Sequence, residues 1–172
     1  MDVFQAIRGR RSIRSYKSDS IPNDALEEIL DAARWAPSAG NCQPRDFIIV
    51  SDSQVKRNLC KAAFREAFIE EARVVIVVCA NEMRSARVYG DRGRSFYCLL
   101  DAAAAVQNML LAAYALGLGA CWVGAFHDEM VANVLNLPPG VRPVAIVPLG
   151  YPDETPRSSR MRLKDLVHSN RY

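Results

Sequence analysis

The sequence predicts an α+β fold in which helices cover both faces of a central sheet, and three observations predict it. Val74-Val75-Ile76-Val77-Val78-Cys79-Ala80 is a continuous, mostly β-branched run, the pattern of a strand buried on both faces in the middle of a covered sheet. Leu26, Ile29, Leu30 and Ala33 recur at the helical period after Pro22-Asn23-Asp24, giving an amphipathic helix that ends by Pro37. Phe96 to Leu116 is almost wholly Ala, Leu, Met and aromatic, so this helix is apolar nearly all round and must be buried on more than one side.

The other elements follow in order. A short first helix covers Val3 to Gly9, with Phe4 and Ile7 on one face. Arg10 to Tyr16 is extended, and alternation puts Arg10, Ser12 and Arg14 on one side. Phe47-Ile48-Ile49-Val50 is a buried strand, and Gln54 to Glu71 reads as one helix. Asn81 to Ser95 is polar, arginine-rich and the least structured in pattern. Leu116-Gly117-Leu118-Gly119 caps the apolar helix, and Ala120-Cys121-Trp122-Val123 enters a further strand. Met130 to Leu135 is a short helix, Pro143 to Leu149 the last core strand, and Asp153 to Tyr172 a polar, basic tail.

At 172 residues, and with no internal repeat or long linker, residues 1–172 are expected to form a single domain. A composition that is 50% hydrophobic and 24% charged is ordinary for a soluble chain, and a net charge of +3 is too small to argue for nucleic acid. Asp101, Gln107 and Asn108 interrupt the apolar helix, which favours a core helix over a membrane span. The five cysteines, Cys42, Cys60, Cys79, Cys98 and Cys121, lie singly with no C-x-x-C pair, and no charged-then-apolar leader opens the chain. Both features point to reduced thiols and a cytoplasmic location. His127 and His168 lack metal-ligand spacing, so no metal site is expected.

No G-x-G-x-x-G follows a strand, no G-x-x-x-x-G-K-[ST] is present, and there is no G-x-S-x-G elbow. With two histidines, both in polar segments, catalytic acids and bases are scarce. That scarcity suits an enzyme whose cofactor carries the chemistry. Two features offer ligand chemistry. Ala36-Pro37-Ser38-Ala39-Gly40-Asn41-Cys42-Gln43-Pro44 is a compact loop rich in hydrogen-bonding groups, suited to a flat ligand with polar edges. Arg10, Ser12 and Arg14 present two guanidinium forks around a hydroxyl, a match for a phosphate dianion, and Arg160-Met161-Arg162 repeats the spacing in the tail. Standing alone, R-R-S-x-R is more often a solvated basic segment.

These pieces, with Asp101-x-x-x-Ala105-x-Gln107-Asn108, Leu116-Gly117-Leu118-Gly119-x-Cys121-Trp122-Val123-Gly124-x-Phe126 and Pro148-Leu149-Gly150-Tyr151-Pro152, occur in an order that resembles the nitroreductase family. The resemblance spans nearly the whole chain. It implies a three-layer α/β/α fold with a mixed central sheet, an intertwined homodimer and two FMN sites between the subunits. It implies an FMN-dependent NAD(P)H oxidoreductase that passes a hydride through flavin N5, in ping-pong fashion, to nitroaromatics, quinones or similar acceptors. Arg10, Ser12, Arg14, Arg160 and Arg162 would hold the FMN phosphate, and Arg11 would lie against the ring or its phosphate end. Pro37, Ser38, Ala39 and Asn41 of the other subunit would contact the ring and ribityl chain. Trp122, Val123, Gly124 and Ala125 would line the ring, with a backbone N–H near Gly124 facing N5.

No side chain is assigned a catalytic role. Arg65-Glu66 stands where many members place an amide beside the flavin, and the short Asn81–Ser95 stretch implies an open pocket. The alternatives are a specialised flavin enzyme of the same fold, dehalogenase-like, and a non-enzymatic FMN-binding protein.

Overall fold

The computed structural model describes residues 1–172. Seven α-helices and four strands follow one another along the chain: α1 Val3–Gly9, α2 Asn23–Arg34, β1 Arg45–Val50, α3 Ser53–Ala62, α4 Phe68–Glu71, β2 Val74–Asn81, α5 Glu82–Arg92, α6 Cys98–Ala115, β3 Gly119–Ala120, α7 Asp128–Leu135 and β4 Val141–Gly150. The sheet order is β1-β2-β4-β3. All three strand pairs run antiparallel, and the parallel component expected of a mixed sheet is one bridge, Ser12 to Ala120.

Period-two alternation along β2 and β4 sorts the core into two layers. Ile76, Val78, Ala80, Ala145, Val147 and Leu149 face α2 and α6, while Val75, Val77, Cys79 and Ile146 face α3, α4 and α7. Helices therefore sandwich the sheet, as the β-branched run required. The α6 helix is the centre of one layer: Ala102, Ala105, Val106, Met109 and Ala113 are fully buried. With α5 it forms one helical run, Glu82–Ala115, long and apolar enough to cross a membrane, yet 44% of its most apolar window lies inside the fold.

Local chemistry fixes the helix ends. Asp2 and Gln5 form a reciprocal capping box on α1, with Asp2 Oδ1 accepting from Phe4 N at 2.7 Å. Asp52 caps α3, and Asn81 caps α5.

Three expectations need correction. The helix read over Gln54–Glu71 is broken, because Phe64 and Arg65 take left-handed φ of 54° and 65° between α3 and α4. Phe47–Val50 is not wholly buried: β1 is an edge strand, and Ile49 is 48% exposed. Asn81–Ser95 is not irregular but forms α5, then a π-helical turn over Gly93–Tyr97 leading into α6. Its arginines hid a structural job. Arg84 donates to the Gln43 carbonyl at 2.7 Å and to Asp46 Oδ1 at 2.8 Å, tying α5 to the start of β1.

Candidate functional site

The N-terminal segment is laid across the β3 edge by two glycines. A Cβ on Gly119 would come within 2.8 Å of the Ile13 side chain, and one on Gly150 within 2.8 Å of Tyr16. Only glycine lets the segment approach this closely. Ile13 N donates to Ala120 O at 3.0 Å, Tyr16 Oη to Ile13 O at 2.6 Å, and Arg14 N to the Glu154 carboxylate. Ile13 is buried, so by alternation its neighbours Ser12 and Arg14 turn away from the core.

What they turn toward is a cleft of about 270 Å³ lined by Arg10, Arg11, Ser12, Arg14, Pro156, Arg157, Ser158 and Arg160. Five guanidinium groups thus border one space, with no carboxylate among the lining side chains and Pro156 as the one apolar ring. None of the five belongs to a salt bridge. Arg10 shows the strain of that crowding: burial, then the nearby Arg160 and Arg11, lower its pKa from the ordinary arginine range. Such a wall fits a multiply charged anion. Arg11 also folds back on α1, donating to Arg8 O at 2.7 Å and Arg10 O at 2.8 Å, so it both closes the helix C-terminus and borders the cleft.

The tail divides differently from its sequence pattern. Arg160 joins the cleft, whereas Arg162 points elsewhere and pairs with Asp165 at 2.9 Å. Arg157 and Ser158 take the place expected of it, residues that sequence reasoning passed over although the basic run of the tail signalled them.

Beside the cleft, Trp122 is half-buried against the core, and Val123 is locked to Ile146 by paired backbone bonds of 2.9 and 3.0 Å. Gly124 and Ala125 follow, exposed, leaving open backbone. The α3–α4 turn borders the same region: Arg14 lies over the Phe68 ring at 5.9 Å, and Phe64 packs on His127 at 4.7 Å. Arg65 and Glu66 sit exposed on this turn. Cys121 lies behind Ser12, and burial pushes its thiol up despite Arg14 and Ser12. The thiols of Cys60, Cys79 and Cys98 are likewise raised by burial, Cys79 to about 12, which leaves them poor nucleophiles.

The Ala36–Pro44 loop lies far from this cleft. It enters β1 at Arg45, which is opposite Ala80, whereas Ala120 is opposite Leu149 and through it Val74. Three strand spacings separate the two edges, about 14 Å, and six residues along β2 add about 20 Å. Pro37, Ser38, Ala39 and Asn41 therefore occupy the opposite corner of the sheet from the arginines, roughly 24 Å away.

The loop is held by groups that the sequence did not reveal. Arg45, 6% exposed, donates to Arg34 O and Ala36 O at 2.7 Å each and to Pro37 O at 3.4 Å. Asp101 on α6 accepts from Ala39 N at 3.1 Å, and Ser38 Oγ accepts from Gln43 N at 2.9 Å. On α6, Asn108 donates to Ala32 O at 3.0 Å, and Gln107 is exposed. Gly40 packs under Tyr89, whose hydroxyl would lie 2.6 Å from an added Cβ. Around Tyr89, Arg92 stands over the rings of Phe96 and Tyr97 at 5.0 and 5.1 Å. A folded, aromatic segment from α5 into α6 thus borders the loop.

Comparison with known proteins matches this architecture. The nitroreductase family model matches residues 7–70 and 60–151. A Thermus thermophilus protein named NADH dehydrogenase is 36% identical over 195 residues, covering 97% of this chain and 95% of its own. A Bacillus subtilis FMN reductase (NADPH) is 28% identical over 185 residues, covering 99% of this chain and 74% of its own. The crystal structure of the NADPH:FMN oxidoreductase of Vibrio harveyi, complexed with NAD+, superposes with a TM-score of 0.91 at 28% identity, covering 99% of this chain and 77% of that one. The fold, the matched family model and the relative that aligns almost end to end agree: the chain belongs to the nitroreductase family.

Proposed function

We propose that this chain is an FMN-dependent NAD(P)H oxidoreductase of its family, a single domain over residues 1–172 acting as a homodimer on a nitroaromatic, quinone or similar small acceptor. The observation that carries the reading is the wall of five unpaired arginines, Arg10, Arg11, Arg14, Arg157 and Arg160, with Ser12 between them. A phosphate monoester supplies the dianion that such a wall is built to neutralise. Relatives named FMN reductase and NADPH-flavin oxidoreductase support FMN as the molecule that carries it.

In this reading the arginines and Ser12 bind the phosphate, and Glu154 keeps Arg14 in place by accepting from its backbone N–H. The exposed backbone at Gly124 and Ala125, braced by the Val123–Ile146 bonds, offers an N–H and a flat approach to a ring. Bound FMN would supply the hydride and electron transfer between NAD(P)H and the acceptor, which accounts for the lack of a catalytic acid or base. The loop of Pro37, Ser38, Ala39 and Asn41 stands too far from the arginines to serve the same site within one chain. A second copy brings its loop to the first copy's arginines, and two-fold symmetry then creates two equal sites. Five free cysteines, none paired, favour a reducing compartment such as the cytoplasm.

Subunit mixing tests this arrangement. Arg14→Ala removes a cleft residue and Asn41→Ala a loop residue. Each homodimer should oxidise NAD(P)H poorly with a quinone acceptor, and refolding the two together should restore activity through one intact site per hybrid. No recovery in verified hybrids would place both halves in one chain and refute the shared site.

A further inference from the structure

We infer that Asp101 is a positioning residue that sets the loop of Pro37 to Asn41 through the Ala39 N–H, an inference that rests on the proposed FMN site. Gly40, Asn41 and Gln43 hold φ of 54°, 53° and 49°. Left-handed backbone at Asn41 and Gln43 costs energy and persists only where surrounding contacts over-determine it. The contacts at hand are few. Arg45 takes the carbonyls of Arg34, Ala36 and Pro37 and so fixes where the loop leaves α2. Beyond Pro37, Arg84 holds the Gln43 carbonyl at the far end of the loop, and the side chain from outside the loop that takes a backbone N–H is Asp101, on Ala39.

Asp101 is a poor choice for stability. It is 8% exposed, its Oδ2 is buried without a partner, and burial raises its pKa despite the Ala39 N–H and the nearby Arg45. The folded protein therefore favours a neutral group at this position. A stabilising contact would not leave half a carboxylate unsatisfied. The bond from Oδ1 to the loop is the compensating gain, and it sits next to residues assigned to the cofactor. Stability is exchanged here for placement, as is common near functional sites.

Two substitutions separate the charge of Asp101 from its hydrogen-bond acceptor. Asp101→Asn keeps an oxygen for the Ala39 N–H and removes the charge; Asp101→Ala removes the acceptor. Apo-protein melting and FMN affinity, read from quenching of flavin fluorescence, are measured for both. Asp101→Asn should hold FMN affinity within about threefold and leave the apo melting temperature equal or higher, and Asp101→Ala should weaken FMN at least about tenfold. Ala39→Pro removes the donor from the other side. It suits the site, since Ser38 is extended at φ −149° and ψ 151° and residue 39 opens a 3₁₀ turn, and it should lose FMN affinity as Asp101→Ala does.

An Ala variant that binds FMN within about twofold of wild type overturns the inference. So does an Asn variant that loses as much affinity and apo stability as Ala. Wild-type protein that takes up no FMN at all would refute the cofactor reading and this inference with it, an outcome distinct from wild-type binding that the variants leave unchanged.

Discussion

Replacing Arg14 by alanine separates binding from folding. In the folded chain its guanidinium makes no salt bridge and stands over the Phe68 ring at 5.9 Å. An exposed cation–π contact contributes about 0.5–1 kcal/mol. Against that loss stands relief of repulsion, because Arg14 shares its cleft with four other arginines. The apo protein should therefore lose at most about 1 kcal/mol, a melting shift of roughly 2–4 °C for a chain of this size. With FMN bound, Arg14 would make a charge-assisted bond to the phosphate, for which about 1.5–3 kcal/mol is typical. At 1.4 kcal/mol per decade, that predicts an FMN dissociation constant raised roughly 10- to 150-fold. Fluorescence titration gives the affinity and calorimetry of the apo protein the stability. Equal losses in both would show that Arg14 supports the fold rather than the anion.

Three further outcomes follow from the geometry. Arg160→Ala should weaken FMN by about tenfold or more, while Arg162→Ala, which breaks only an exposed pair with Asp165, should change it by less than about twofold; the reverse ranking would show the tail docked differently when the site is filled. Arg45→Met strips a charged donor from two carbonyls at 2.7 Å in a buried setting and should cost about 3–5 kcal/mol in denaturant unfolding, against which a loss under about 1 kcal/mol would argue. Asp101, faced by Arg45 from β1, Cys98 on its own helix and the Ala39 N–H, has a raised pKa, so its contribution to stability is complete below the ordinary carboxylate range and fades as pH rises through the folded value. Wild type should therefore lose stability relative to Asp101→Asn between acid and neutral pH, and a constant difference across that range would contradict the assignment.

What the sequence disclosed and what it hid divide along physical lines. Patterns set by burial were legible. The β2 run is central, α6 is the core of one layer, and α1 spans the expected Val3–Gly9. The arginine cluster was legible because alternation in an extended segment is simple geometry. The α3–α4 break was not, because Phe64 and Arg65 carry no glycine to announce a left-handed turn. Arg84 and Arg45 drew no role from the sequence, because each is bound to carbonyls brought near only by the fold. Asp101 belonged to a recognised motif without a role, since its partner, Ala39, lies 62 residues away. Arg162 looked equivalent to Arg160 by spacing, and a local pairing with Asp165 separates them.

The visible absorption spectrum of the purified protein, recorded before and after addition of NADH or NADPH without oxygen, decides whether the chain carries a working flavin. The protein should be yellow, or turn yellow with added FMN, and its flavin band should bleach with the nicotinamide and return when a quinone or nitroaromatic is supplied. A colourless protein that takes up no FMN would contradict the cofactor reading, and the five arginines of the cleft would then belong to another anion.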